Sequence, residues 1–357
     1  VASLVVQTSF LGDVVLTTPL IAELAKRGAV DVLTTGHGAE LLANNPAIRN
    51  ILVYEKRGND RGLARFLRVV GRVRHAGLYG TPLPSSDGPR GNSTIYDAAY
   101  MAQGSVRSGL VALAAGVRHR VGFDTAAGRA LYTERVRYNS SRHHAERLWW
   151  LAMSDCADPP SAEQIRPRVY PGDGERRVVD RLLAAGGIDE PFIALAPGSA
   201  WGTKRWPFFH ELAALVAQDH PIVVVGGNGD VEIARTILAQ LEPGRGTSAA
   251  GCLSLLASAE LIGRATALVG NDSLPQHLAS AMGTPAVTLF GPTSPDFGFG
   301  PLAPGSATAG VAGLACRPCD RHGPARCPLG HWRCMRELSS LQVNAILAQA
   351  LTQASTK

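Results

Sequence analysis

The sequence predicts an α/β protein of two open domains, each a parallel sheet with helices on both faces. Three observations carry this reading. Apolar strand-like runs alternate with helical patterns in both halves of the chain, as parallel sheets with helical crossovers require. A cluster of Pro159, Pro160, Pro167, Pro171, Gly172 and Gly174 separates the halves. The length of 357 residues exceeds one ordinary core, so two domains of about 150–180 residues are expected. The division is placed at 1–165 and 166–357. One large sheet is the alternative, and the full set of strands in each half argues against it.

In chain order, the first domain offers strands at 4–7, 30–34, 51–54, 96–101 and 121–123, short apolar runs bounded by turn residues. Helical spacing of apolar residues marks 14–26, 39–44, 62–75, 106–115 and 145–152. Residues 79–92, rich in Pro, Ser and Gly, read as an exposed insertion. The second domain repeats the alternation, with strands at 192–196, 222–225, 267–269 and 286–290. Its helices fall at 207–218, 231–241, 253–262, 275–282 and 341–352.

Hydrophobic residues at 45% and charged residues at 18% describe an ordinary globular chain. The longest apolar run, 110–117, is far short of the ~20 residues that span a bilayer. No charged-then-apolar leader with a cleavage site opens the chain, so the expected compartment is the cytoplasm. A net charge of +6 and a pI near 9.2 favour an acidic partner. No aromatic-interleaved recognition motif accompanies that charge, which argues against nucleic acid.

The most informative stretch is 266–295. A buried strand runs into Asn271-Asp272-Ser273, a helix opens at Pro275 and closes at Gly283, and a second strand ends in Phe290-Gly291-Pro292-Thr293. Asp272 or Ser273 suits the helix cap, Pro275 its first turn and Gly283 its end. A helix starting past the carboxyl end of a parallel strand aims N–H groups and a positive dipole end into a crevice, where phosphate binds. The polar elbow adds hydrogen-bonding groups for sugar hydroxyls, which points to a nucleotide diphospho-sugar.

Two further strand-to-helix turns carry candidate chemistry. Gly12 and Asp13 open the first helix. Asp13 reads as a general base at the end of a parallel strand, with a helix cap as the plain alternative. Lys204 lies in the loop between strand 192–196 and the helix at Pro207. Its ammonium can neutralise charge on a departing diphosphate; an exposed loop lysine is the alternative. Ser199 and Thr203 offer hydroxyls to phosphate. Asp230 and Glu232 open a helix after a strand, where they can accept from ribose hydroxyls or simply complement the helix dipole. The nearby Gly226-Gly227-Asn228-Gly229 lacks the spacing of a dinucleotide fingerprint, so no nicotinamide is expected.

Arg61, Arg65, Arg68 and Arg72 share one helix face, with Leu63, Phe66, Val70 and Val73 on another. That is a surface helix with its apolar side in the core, or one that also docks anionic membrane or glycan phosphate.

Taken together, Ser9…Gly12-Asp13-Val14, Pro197-Gly198-Ser199…Thr203-Lys204-Arg205-Trp206-Pro207, Gly226-Gly227…Asp230…Glu232 and Gly270-Asn271-Asp272-Ser273…His277…Phe290-Gly291-Pro292-Thr293 form an ordered set. It resembles the heptosyltransferases of glycosyltransferase family 9, in particular their heptosyltransferase II branch, over nearly the whole chain. The resemblance implies a GT-B fold, two Rossmann-like domains facing a central cleft. It implies inverting transfer of a heptose from ADP-heptose to the lipid-linked inner-core oligosaccharide of lipopolysaccharide, by a cytoplasmic enzyme peripheral to the inner face of the inner membrane. Asp13 would deprotonate the acceptor and Lys204 would face the leaving group. Asp272 would hold donor-sugar hydroxyls, and Ser273 with the amides after it the diphosphate.

On the acceptor side are Ser9, Gly12 and His144. The last stands at a position similar to His/Arg positions near the acceptor in the family, with a charged helix start packed on the first domain as the plain alternative. The stretch from Gln103 to Ser108 follows a strand and could contact acceptor phosphates through Arg107 and Ser105. His277 reads as a structural hydrogen-bonder on the donor helix. Leu274 departs from the family, where a small residue is usual, and Gln276 stands where an apolar residue is common; Leu274 would crowd the phosphate approach or alter sugar preference. A GT-B transferase using another nucleotide sugar, or a sugar epimerase of related fold, is the alternative. No Asp-x-Asp motif is present, so no obligatory catalytic metal is expected. In a GT-B fold the last helix would lie near the first domain.

Cys316, Cys319, Cys327 and Cys334 cluster, with His322 and His331 between them. In a cytosolic chain this suggests a structural zinc, with reduced thiols or labile disulfides as alternatives. Similar stretches occur in a subset of the resembling proteins. Cys156 and Cys252 are expected to be isolated, buried thiols.

Overall fold

The computed structural model describes residues 1–55, 62–79, 96–153 and 157–355. Arg61, Cys156 and residues 80–92 of the expected insertion lie outside them. The chain forms two compact units, Val1–Pro167 and Arg168–Lys357.

The first unit holds strands β1 (Ala2–Val6), β2 (Ala29–Thr34), β3 (Asn50–Val53), β4 (Ala98–Met101), β5 (His119–Phe123) and β6 (Glu134–Val136). Its helices are α1 (Leu11–Leu16), α2 (Thr18–Ala25), α3 (Gly36–Leu42), α4 (Leu63–Tyr79), α5 (Val106–Ala114), α6 (His144–Trp149) and α7 (Ala162–Ile165). All strand pairs are parallel, in the order β3-β2-β1-β4-β5-β6. Leu4, Val6, Leu33 and Val73 are among the residues of its buried core.

The second unit holds β7 (Ile193–Ala196), β8 (Ile222–Val224), β9 (Gly246–Ser248), β10 (Ala267–Asn271), β11 (Ala286–Leu289) and β12 (Ala307–Ala309). Around them run α8 (Asp173–Ala185), α9 (Phe209–Val216), α10 (Val231–Leu238), α11 (Leu255–Arg264), α12 (Leu274–Met282), α13 (Arg333–Arg336) and α14 (Ser340–Ser355). The order β12-β11-β10-β7-β8-β9 is again all parallel. Each sheet reverses its strand order beside its first strand, between β1 and β4 and between β7 and β10. The carboxyl ends of the strands at such a reversal open a crevice where ligands bind in Rossmann-type sheets.

Several elements differ from expectation. Residues 14–26 form two helices rather than one. Pro19 lacks the N–H that would reach Val15 O, and the Thr18 hydroxyl donates there instead (2.8 Å), while the Thr17 hydroxyl donates to Asp13 O (2.7 Å). Helix α8 is an addition to the expected helices: Val178, Val179, Leu182 and Leu183 give it an apolar side, of which only Val179 is fully buried. It is held by Glu175 at its N-terminus and by Asp180, which accepts from Arg264 of α11 (2.5 Å). Strands β6, β9 and β12 are three-residue edge strands with too little pattern to read. On α4 the buried side is Val69, Val70, Val73 and Ala76, whereas Leu63 is 74% exposed. Cys252 is exposed, not buried. Helix α14 packs Val343, Leu347 and Ala350 into the core of the second unit, against α9 and β10–β12.

Candidate active site

In the first unit the β1–α1 turn places Asp13 in the first turn of α1, with Gly12 before it and Ser9 N–H donating to Gln7 Oε1 (3.2 Å). Asp13 Oδ1 stands 3.7 Å from His144 Nε2, both side chains largely buried. His144 opens α6, whose N-terminus His143 caps by accepting from Ala145 N–H (3.1 Å). Gln103, just past β4, accepts at Oε1 from Thr8 (2.6 Å) and from Ser108 (3.3 Å), tying the two crevice-forming strands together. Ser105 caps α5, and Arg107 is exposed one residue into it. The crevice thus gathers Ser9, Gly12, Asp13, Gln103 and His144 at one switch point.

In the second unit Lys204 Nζ lies 2.6 Å from Asp272 Oδ2 and 3.2 Å from Asp272 O. Both residues are buried, 8% and 9% exposed. Asp272 also accepts from Thr293 Oγ1 at Oδ2 (2.8 Å) and from Gln276 Nε2 at Oδ1 (2.9 Å). Asn271 bonds Pro197 O (2.7 Å) and accepts from Trp206 N–H (3.2 Å), so the β7 loop is locked to the end of β10. Trp206 itself is fully buried against Phe208 and Phe209 and donates to Leu338 O (2.8 Å).

Ser273 occupies the N-cap position of α12, but its hydroxyl turns back to Gly198 O (3.4 Å) and Asn271 O (3.3 Å) instead of capping the helix. The first turn of α12 therefore keeps its dipole end open for an anion. Gly283, at φ 80°, closes α12 in the left-handed conformation. Ser199 Oγ accepts from Trp201 N–H (3.3 Å), and the Thr203 hydroxyl donates to Pro324 O. Asp230 folds over Gly198, where a Cβ would come 2.4 Å from its carboxylate, and accepts from Gly227 N–H (2.9 Å). Glu232 is exposed and paired with Arg235 (2.7 Å). His277 is buried edge-on to Phe299, and Leu274 is partly buried at the start of α12.

The bonds by which Thr293 and Gln276 hold Asp272, and Asn271 the β7 loop, are not legible in the sequence. Gln276 had a signal, a polar residue on an otherwise apolar helix face. The four clustered cysteines are free thiols, with Cys316 Sγ 4.0 Å from His331 Nε2. Among the described residues no group of three or more His, Cys, Asp or Glu side chains converges on a metal position.

Two Rossmann-ordered units, with an acid at one switch point and a buried lysine–aspartate pair beside an open helix N-terminus at the other, define a GT-B glycosyltransferase architecture. Residues 92–329 match the glycosyltransferase family 9 (heptosyltransferase) model, and the chain belongs to that family. It is 32% identical over 216 residues to lipopolysaccharide heptosyltransferase 2 of Escherichia coli K12, a match spanning 57% of this chain and 62% of the relative, less than two thirds of its length. The fold is similar to the crystal structure of a family 9 glycosyl transferase from Veillonella parvula, at TM-score 0.81 and 21% identity, covering 98% and 97% of the chains. It is also similar to E. coli ADP-heptose lps heptosyltransferase II, at TM-score 0.75 and 24% identity, covering 99% and 100%.

Proposed function

We propose that the chain transfers a heptose from ADP-heptose to the inner core of lipopolysaccharide, with inversion at the anomeric carbon. The observation that carries this is the buried Lys204–Asp272 pair at the open N-terminus of α12, in a chain of the heptosyltransferase family. The names of the curated and solved relatives supply the donor and the acceptor class.

The chemistry follows from the side chains. The diphosphate sits at the positive end of α12 with the Lys204 ammonium beside it, and the sugar lies toward Asp272. As the anomeric C–O bond breaks, the electron pair leaves with ADP and Lys204 offsets the growing charge. The acceptor hydroxyl attacks the opposite face, and its proton passes to Asp13. A carboxylate is a weak base, which suffices when bond breaking runs ahead of proton transfer and the sugar is oxocarbenium-like. Lys204 supplies the positive charge, so turnover is expected to persist in excess chelator.

Among the described residues no helix is long and apolar enough to cross a membrane. Exposed Arg65 and Arg68, beside exposed Leu63 and Leu67 on α4, suit peripheral contact with an anionic surface where a lipid-linked acceptor resides. Salt-sensitive sedimentation with anionic vesicles, weakened by Arg65→Glu with Arg68→Glu, checks that contact.

The decisive experiment supplies purified protein with ADP-heptose and a heptose-deficient core acceptor and reads a mass gain of one heptose. Thermal stabilisation by UDP-sugars but not by ADP-heptose would replace this donor by another.

A further inference from the structure

The segment from Cys316 to Ala325 wraps the donor loop at several points. Cys319 N–H donates to Pro292 O (2.8 Å), and the Thr203 hydroxyl donates to Pro324 O. At Gly202 a Cβ would stand 2.8 Å from Ala325 O, so the two backbones touch. Gly323, at φ +85°, lies against the Lys204 stem, with room for a Cβ only 3.3 Å from its Cγ and Cε. Left-handed backbone and close approach together favour glycine there.

The central contact is Arg317. Its guanidinium donates to Val311 O and to Thr293 O (3.2 Å), bridging the loops that follow β12 and β11. The space for it exists because residue 310 is glycine; a Cβ there would meet Arg317 Nη1 at 3.0 Å. Thr293, held from its carbonyl side, points its hydroxyl to Asp272 Oδ2 (2.8 Å), and the same oxygen receives Lys204. A chain of bonds therefore runs Arg317–Thr293–Asp272–Lys204. Thr293 and Arg317 also line a cavity of about 490 Å³ with Ser294, Asp296 and Leu314. If Arg317 lets go, Thr293 is free to turn toward that space.

We propose that Arg317 is a positioning residue of the donor site: through Thr293 it fixes the Lys204–Asp272 pair, and the cysteine-containing segment acts as a strap over that pair. This deepens the transferase reading and, for its kinetic consequence, rests on it. Arg317 touches no reacting atom, so its effect is on how Lys204 and Asp272 are presented to the nucleotide sugar.

The test compares Arg317→Met, Thr293→Val and the conservative Arg317→Lys and Thr293→Ser in the full chain. Two readouts are taken: steady-state kinetics for donor and acceptor separately, and the rate at which an amine-acylating reagent labels Lys204 without nucleotide, read by mass spectrometry. Arg317→Met and Thr293→Val are expected to lower kcat/KM for ADP-heptose about ten-fold, to leave the acceptor KM unchanged, and to speed Lys204 labelling several-fold. The conservative variants restore most of both. Parent-like kinetics and labelling in Arg317→Met would overturn the proposal. So would a lower melting temperature with Lys204 still protected in the folded fraction, since that is a merely structural role. Should the parent fail to use ADP-heptose, the transferase reading falls while Lys204 labelling still decides the positioning role.

Discussion

Lys204 Nζ and Asp272 Oδ2 stand 2.6 Å apart with both side chains almost fully buried, at the point where the second sheet reverses its strand order. An ion pair placed there is not chiefly a stabiliser, because desolvation offsets much of the attraction. Under the proposed function its arrangement suits exchange: an arriving diphosphate would compete for the ammonium, while Thr293 and Gln276 bond the carboxylate.

That view separates stability from activity. Lys204→Met leaves a buried carboxylate without its cation and is expected to destabilise the chain by about 3–5 kcal/mol. Combining it with Asp272→Leu removes the orphaned charge and should recover most of that loss without recovering turnover. Urea unfolding beside activity assays checks both; a double variant that regained activity would remove the pair from the chemistry.

Asp13 poses the complementary case, being partly exposed and 3.7 Å from His144. Asp13→Asn keeps the shape of the α1 turn and removes the proton acceptor. Turnover is expected to fall by about 10²–10⁴-fold, while ADP binding by calorimetry stays within two- to three-fold, roughly the spread expected of a remote change. His144→Gln should cost far less if the histidine only steadies the carboxylate.

How legible this was depends on where the signal sits. Both switch points were readable because strand, polar turn and helix start are contiguous: Gly12-Asp13 after β1, and Asn271-Asp272-Ser273 between β10 and α12. Lys204 was readable from its loop, but its pairing with Asp272, 68 residues away, was not, because that contact exists only once β7 and β10 lie side by side. Thr293 and Arg317 act through bonds across loops from different strands, and no spacing announces such bonds. The short edge strands β6, β9 and β12 owe their form to a neighbouring strand more than to their own residues.

The thiols of Cys319, Cys327 and Cys334 differ enough to be told apart by reactivity. Burial and the neighbouring Cys316 and Cys327 push Cys319 up, and burial with the Cys319 charge pushes Cys334 up. At Cys327 burial acts upward too, but amides of Trp332, Leu329, Gly330 and His331 outweigh it and hold the thiol below its ordinary range. The thiolate is the nucleophile. Near neutral pH iodoacetamide is therefore expected to modify Cys327 first and buried Cys334 last, the order read by peptide mass mapping. Raising the pH should speed Cys319 over a higher range than Cys327. Prior loss of Cys334 would show that the thiol environments are not as described.

Alkaline stability offers a test of the first unit that involves no substrate. Tyr132 is 5% exposed, its ring packed so closely on Gly122 that a Cβ there would come 2.3 Å from it. Burial pushes its phenol from 10.0 up to about 12. The folded state keeps this proton where the unfolded chain has lost it, so the contribution is fully present below pH 10 and declines as pH rises from there through about 12. A shift of this size corresponds to about 2–3 kcal/mol by the top of that window. Tyr96, raised by burial and by Asp31, to which it donates at 2.7 Å, acts in the same direction. Tyr132→Phe should therefore flatten only part of the fall in unfolding free energy between pH 9 and 12. Denaturant titrations across that range measure it, and an undiminished slope in Tyr132→Phe would mean the ring is not held in water-excluded packing against β5.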